Sequence, residues 1–355
     1  MNPPSSDFLR TLMETHSPAG FEQQASRVWR TEAATFADRV DADSHGNSYA
    51  VVHPEGSPRI MLAGHIDEIG LMITYIDDKG FLSVTGIGGW DMQVLPGQRV
   101  RILTKSGITY GVIGRKAIHL IKDEDRRNVV KMEDLWIDIG AKDKAEAASI
   151  VSVGDPAVVD QGFLPLRNDL AVARGFDDRI GAYVVLEAAR RLAAERPRAG
   201  VYAVATVQEE VGLRGAVTAA FGIDPKVGIA VDVTHTTDTP GTEGEKKTIG
   251  EASLGKGPVI ARGANVNPRL FDLMIETANE KKIAYQIEPA PKGTGTDANA
   301  IQLSRAGVAT ALVSVPNRYM HSPCEMVHLG DLEACAALIA ATVAKIDDTT
   351  SFVAT

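Results

Sequence analysis

Three uninterrupted apolar runs, Gly200–Val207, Val227–Val231 and Ala309–Val315, constrain this chain more than any other feature. A strand wetted on one face alternates apolar and polar residues, whereas a strand that is apolar throughout must be covered on both faces. Segments with helical spacing lie among these runs, at Arg179–Ala194, Leu270–Lys281 and Leu332–Ile346. Strands alternating with helices in this way imply an α/β fold, a mostly parallel sheet sandwiched by helices. Near the N-terminus, Phe8, Leu9 and Leu12 share a helical face and Glu22–Phe36 reads as a second helix. Ser48–His53 and Arg59–Ala63 then read as two strands, set apart by the turn formers Pro54, Gly56 and Pro58.

From about Gly70 to Leu166 the texture changes. Leu71–Tyr75, Phe81–Thr85, Arg99–Leu103 and Tyr110–Gly114 are short β-type runs, with turn signals at Asp77-Asp78-Lys79-Gly80 and Lys105-Ser106-Gly107. Short strands at this spacing predict a small β-rich barrel or sandwich. The expected organisation is one α/β domain in two parts, residues 1–69 and 167–355, with a β-rich domain inserted over residues 70–166. Lys122–Lys131 reads as a solvated loop and Asp143–Ile150 as a short helix.

Composition narrows the function classes. The chain has 355 residues with 46 acidic and 37 basic side chains, a formal net charge of −9. That acid excess argues against nucleic acid or an anionic membrane surface as partner, since both want a basic face. No apolar run approaches the roughly 18 residues that span a bilayer, and residues 1–7 carry no export signal. Two cysteines, Cys324 and Cys335, make no disulfide framework, so the expected location is cytoplasmic.

In open α/β sheets, ligands bind beyond the carboxyl ends of the strands. Here those ends carry Gly64-His65-Ile66-Asp67-Glu68, Gln208-Glu209-Glu210, Asp232 and Arg318-Tyr319-Met320-His321, while Asp177-Asp178 precedes the long helix. Imidazoles and carboxylates without thiolate suit zinc, cobalt or manganese, and five protein ligands suit two ions sharing a carboxylate better than one. Each residue has a plainer reading when taken singly. His65 could be a satisfied core histidine, Glu209-Glu210 an acidic helix start, and Asp177 an N-cap. Their joint placement at strand ends is what favours a metal site. His235 reads as an exposed loop histidine, and His16, His45, His53, His119 and His328 as non-ligands. Gly86-Ile87-Gly88-Gly89 lacks the spacing and setting of a dinucleotide fingerprint, and Cys324, followed by Glu325, reads as a packed or partly exposed thiol.

Six ordered motifs, within a resemblance that covers about residues 8–346, resemble the tetrahedral (TET-type) aminopeptidases, the glutamyl, leucyl and deblocking family of dinuclear metallopeptidases. They are Ala63-Gly64-His65-Ile66-Asp67-Glu68-Ile69-Gly70, Phe176-Asp177-Asp178-Arg179-Ile180-Gly181, Val207-Gln208-Glu209-Glu210-Val211-Gly212, Val231-Asp232-Val233, Gly295-Thr296-Asp297-Ala298 and Arg318-Tyr319-Met320-His321-Ser322-Pro323. The resemblance implies a zinc-exopeptidase-like fold and two divalent ions per subunit, zinc first, with cobalt or manganese as alternatives. His65 and Asp232 would hold one ion, Glu210 and His321 the other, and Asp177 would bridge them. Glu209 would be the general base and Asp67 would orient His65. A cis peptide would follow Asp177, and the loop Ala290–Ala298 would help line the substrate site. The implied activity is removal of N-terminal residues from short peptides by metal-activated water. The inserted domain would help build a homo-oligomer, a hollow dodecamer made from dimers. Two rival activities remain at this stage: deacylase or carboxypeptidase chemistry of the wider clan, and the endoglucanase label carried by some relatives.

Overall fold

The computed structural model describes residues 3–354. Residues 1 and 2, part of the stretch read as lacking an export signal, lie outside the described residues. After two helices, Pro3–Glu14 and Gln23–Ala33, come β1 (Arg39–Ala42), β2 (Ser48–Val52) and β3 (Arg59–His65). Then follow β4 (Gly70–Ile76), β5 (Leu82–Ile87), β6 (Arg99–Thr104), β7 (Gly107–Arg115), β8 (Leu135–Asp138) and β9 (Pro156–Val159), which close into a barrel in the order β4-β5-β8-β7-β6-β9. Next are β10 (Leu164–Pro165), β11 (Leu170–Ala173), β12 (Gly200–Thr206), β13 (Val227–His235), β14 (Val259–Gly263), β15 (Gln286–Ala290), β16 (Ala309–Asn317) and β17 (Glu325–His328).

The main sheet has eight strands in the order β1-β2-β12-β3-β13-β16-β14-β15. Its centre is parallel: β12 with β3, β3 with β13, and β13 with β16. Antiparallel pairing occurs at β1–β2, β2–β12 and β14–β16, and β14–β15 is parallel again. The predicted mostly parallel sheet is therefore present, with antiparallel joints towards the edges. The helix Phe176–Glu195, buried along most of its length, packs on the sheet beside Leu329–Val343, and Arg214–Ile223 with Asp297–Ile301 packs on the strands as well. Trp29, fully buried, ties the N-terminal helices to this layer by donating Nε1–H to the Ala182 carbonyl at 2.8 Å. The helix Pro268–Lys281 starts as its sequence dictates: the Asn267 side chain accepts from the amides of Arg269 and Leu270, and proline fills the first turn. The barrel has its own core around Leu71, Ile73, Leu82, Val100, Ile102, Ile113 and Ile137. β10, β11 and β17 form a separate three-stranded sheet.

The strands run further than their apolar stretches suggest. β3 reaches His65, β13 reaches His235 and β16 reaches Asn317. The β13–β16 ladder continues past the apolar residues, pairing Asp232 with Ser314 and His235 with Asn317, so the chemistry sits on the strands' last residues. His235, expected in a loop, is exposed but ends a strand. β1, β14, β15 and the helix Arg214–Ile223 were not anticipated. β1 is short and mostly exposed, and β15 is a half-exposed edge strand carrying Pro289, so neither has a continuous apolar run. The Asp177–Asp178 peptide is cis, as the resemblance implied. Cys324 is exposed and Cys335 buried, both free. Among the described residues, no helix is long and apolar enough to cross a membrane.

Candidate active site

All seven residues singled out from the sequence meet at the carboxyl edge of the central strands. His65 ends β3, Asp232 lies near the end of β13, Glu209-Glu210 follow β12, His321 follows β16, and Asp177 opens the long helix. Asp177 stands in the middle. Its Oδ1 lies 3.2 Å from His65 Nε2 and its Oδ2 3.2 Å from His321 Nε2. Glu209 Oε2 is 3.7 Å from His65 Nε2, and Glu210 Oε1 is 3.6 Å from His321 Nε2. Ligand atoms of His65, Asp177 and Glu210 all lie within 4.8 Å of one another, as do those of His65, Asp178 and Asp232. Asp178 is already committed: its carboxylate accepts from the backbone amides of His65 at 3.1 Å and Gly181 at 3.0 Å. It holds a ligand-bearing strand in place and leaves Asp177 as the carboxylate open to both imidazoles.

Buried acceptors fix the surrounding backbone. Four successive amides after β12 are each held by a distant side chain: Val207 by Asn47 Oδ1 at 3.1 Å, Gln208 by Glu22 Oε1 at 3.2 Å, and Glu209 and Glu210 by the two Asp67 oxygens, each at 3.1 Å. Asp67 was expected to orient His65. The contact is there, but the nearer acceptor for His65 Nδ1 is the Asp67 backbone carbonyl at 3.1 Å, with the carboxylate at 3.5 Å. The carboxylate's closer bonds go to the Glu209-Glu210 turn. Glu325 plays a matching part across the site, accepting from the Asp177 amide and the His321 amide, both at 2.9 Å. Sequence reasoning passed over Glu325, Glu22 and Asn47, because nothing local marks an acceptor whose partner is a backbone amide far along the chain.

Electrostatics in the cluster are strained by like charge. Burial, joined by the charges of Asp232, Asp297 and Asp67, pushes Glu209 up to about 9, although His65 pulls the other way. Burial likewise lifts Asp232 to about 8, with Asp177 adding to it. Glu210 is raised by burial and by Asp177. Asp177 goes in the opposite direction: burial would raise it, but the bonds from His321 and His65 outweigh that and hold it below the usual range. Burial would lower His65, yet Glu209, Asp177 and Asp67 hold it well above an ordinary imidazole. Carboxylates crowded this way hold protons unless a cation replaces them.

His65, Asp177, Glu209, Glu210, Asp232 and His321 line a cleft of about 850 Å³. Thr234, His235, Glu288 and the loop from Ala290 to Thr296 line it as well. The barrel contributes as well. Gly89 lines the cleft, and a Cβ on Gly88 would lie 3.2 Å from Glu210 Oε2 and 2.7 Å from Ile69. The glycines dismissed as a nucleotide fingerprint thus leave room for Glu210 and His321. Their signal was a φ of +74° at Gly88, which a sequence does not display.

Strand-end imidazoles and carboxylates around a shared aspartate, set in an α/β sheet with an inserted barrel, define a hydrolytic class, and comparison with known proteins agrees. The profile of the family Peptidase M42, described as M42 glutamyl aminopeptidase, matches residues 46–338, and the chain belongs to that family. The lysyl aminopeptidase of Pyrococcus furiosus is 38% identical over 344 residues, covering 96% of this chain and 97% of the relative. The crystal structure of a TET aminopeptidase from a marine-sediment Thaumarchaeota archaeon superposes with a TM-score of 0.92 at 36% identity, covering 97% of each chain. The TET1 peptidase of Pyrococcus horikoshii, whose structure is described as able to assemble into a tetrahedron or a large octahedral shell, superposes with a TM-score of 0.85 at 34% identity, covering 96% of this chain and 100% of that one. The protein is an enzyme, a peptide hydrolase of the aminopeptidase type.

Proposed function

We propose that the enzyme removes N-terminal residues from short peptides with two divalent ions held by His65, Asp177, Glu210, Asp232 and His321. The observation that carries this reading is Asp177, whose two oxygens each face a different imidazole at 3.2 Å. A carboxylate presented this way is suited to bridging two cations. The donor set fits: Glu210 Oε1 is buried with no hydrogen-bond partner, as a ligand oxygen awaiting an ion would be. Imidazole and carboxylate without thiolate favour zinc, with cobalt or manganese as alternatives. Bound divalent ions lower the pKa of water and polarise the scissile carbonyl.

The remaining work falls to this chain's own side chains. Glu209 takes the proton from the attacking water and returns it to the leaving amine. Burial raises its basicity, so its ionised form, favoured once cations sit beside it, is a stronger proton acceptor than a solvated carboxylate. Asp67 sets the Glu209-Glu210 turn through two amides and steadies His65. The free amine of the substrate is drawn to the same acidic end of the cleft, which restricts cleavage to the chain terminus. The family carries glutamyl and lysyl names alike, so family membership alone does not fix the side chain removed. Residues 1–69 and 167–355 form the catalytic unit, and residues 70–166 form an assembly unit that builds a dodecamer from dimers. The expected location is the cytoplasm.

Glu209→Gln tests the mechanism. It keeps the size of the side chain and removes the base. The expected result is unchanged metal content, measured by elemental analysis, with kcat down by about 10²–10⁴-fold. Full activity with both ions retained would refute the role of Glu209. Faster hydrolysis of N-acetylated than of free-amine peptides would refute the aminopeptidase reading.

A further inference from the structure

A second cavity, of about 270 Å³, shares no lining residue with the cleft. One wall is Val207-Gln208, which runs directly into Glu209. Another is the helix Gln23–Ala33, through Gln23, Ser26, Arg27 and Arg30. Those positions, i, i+3, i+4 and i+7, form one stripe of a helix. His45 and Gly46, from the turn between β1 and β2, close the cavity with Gly20 and Glu22.

The charges on this lining are unbalanced. Arg27 and Arg30 have no ion-pair partner among the described residues, although the chain carries an excess of acid. Arg30 is half-buried and donates Nη1–H to Ser48 Oγ at 2.7 Å. Burial and the charge of Arg27 both lower its pKa, and no carboxylate offsets them. Glu22 is the one acid on the lining, but it is engaged with backbone: its Oε1 accepts the amides of Gly20 at 2.6 Å and Gln208 at 3.2 Å. As the N-cap it makes no side-chain bond to the first-turn amides, so the positive end of the helix adds to the field. Two further groups lack partners. Ser26 is 3% exposed and its hydroxyl has none, and His45 Nε2 is buried without one. Buried polar groups left in this state cost free energy that a guest recovers by bonding to them.

We propose that this cavity is a binding site for an oxyanion of the phosphate class, and that its occupant braces the rear of the segment leading into Glu209. Two uncompensated arginines match a dianion better than a carboxylate, and guanidinium pairs with phosphate oxygens through charge-assisted bonds. The Ser26 hydroxyl donates to the guest, as does His45 through Nε2. Val207 and Gln208 form the wall behind it, and Gln208 is left-handed, at φ +57°. The site stands apart from the ligand cluster and does not depend on how that cluster is loaded.

The test is calorimetric titration of the metal-loaded enzyme with inorganic phosphate, on wild type, Arg27→Met, Arg30→Met and Ser26→Ala. Arg27 is exposed and Ser26 bonds to nothing through its side chain, so these two variants should fold even if loss of the Arg30–Ser48 bond perturbs the third. Circular dichroism checks each. Arg167→Met, an exposed arginine outside the cavity, changes the net charge equally and is the control. Phosphate held at the ligand cluster is common to every form and subtracts out. Wild type and Arg167→Met should show one saturable event per chain that weakens by about 10-fold or more in each cavity-arginine variant. Ser26→Ala should weaken it less. On saturation, hydrogen exchange at the Val207–Glu210 amides should slow in wild type and not in Arg27→Met. Equal phosphate affinity in wild type and the cavity variants, or acetate binding there as tightly as phosphate, overturns the site. Saturation without slower exchange at those amides overturns its bracing role.

Discussion

Glu325 and Asp67 act on the same principle from opposite sides of the site: each spends both carboxylate oxygens on two backbone amides. Glu325 joins the segment bearing Asp177 to the segment bearing His321. Replacing it by alanine frees both, and outer partners of metal ligands are typically worth 10–100-fold in affinity. Glu325→Ala should therefore weaken metal binding by about 10- to 100-fold, read by competition with a chelator, with the ion proposed at Glu210 and His321 affected more than the one proposed at His65 and Asp232. Glu22 offers a test that needs no substrate. Burial, and then Asp67, raise its pKa from 4.5 to about 7. Between those values the folded chain keeps a proton that the unfolded chain has released, so stability falls as pH rises through that window, and the cost is fully present above pH 7. Glutamine removes the charge and keeps an oxygen for the amides of Gly20 and Gln208. In chelated protein, Glu22→Gln should melt higher than wild type at pH 8 by on the order of 1–3 kcal/mol, and the gain should shrink towards pH 5. The proposed ligands could be picked out in the sequence because a polar residue closing an apolar strand is conspicuous. Their holders were not, since Glu22 and Gln208 lie 186 residues apart in the chain.

At the scale of elements, the central strands and the long helices could be read from hydrophobic period alone, because burial on both faces leaves an unbroken apolar run. Edge strands β1 and β15 escaped for the opposite reason: half their residues face water. The barrel's short strands and turns were visible, but not its closure, which depends on β4 pairing with β9 across some eighty residues. Nor was it visible that the segment after β5 would pack against Ile69 and Glu210. Gly88→Ala puts a methyl group against Ile69 and Glu210, and it should cut kcat/KM by about 10-fold or more with loss of bound metal. Gly97→Ala is the matched control. Gly97 also has positive φ, at +85°, but a Cβ there meets nothing within 4 Å. It should cost about 1–2 kcal/mol of stability and leave turnover intact, as thermal melts and reporter assays would show.

For the whole molecule, the fold joins a catalytic sheet to a barrel with its own core. If the barrel serves assembly, native mass spectrometry should find a particle about twelve times the 37.8 kDa chain. A monomer at micromolar concentration would remove that role. The net charge of −9 looks different once the site is drawn. On the proposed function, part of it is a ligand set that two divalent ions would neutralise, not a surface that repels partners. The four tethered amides from Val207 to Glu210 have a further consequence, for how such an enzyme can diversify. A segment whose amides are held at every residue by Asn47, Glu22 and Asp67 keeps a fixed backbone path, and a change at any of those three holders breaks buried bonds beside the site. New substrate preferences are therefore expected on the part of the cleft wall formed by β15 and the Ala290–Thr296 loop, where exposed side chains can be exchanged without moving that segment. Directed evolution should show the same asymmetry: selections for altered specificity would accumulate changes on that wall and leave the Val207–Glu210 segment untouched.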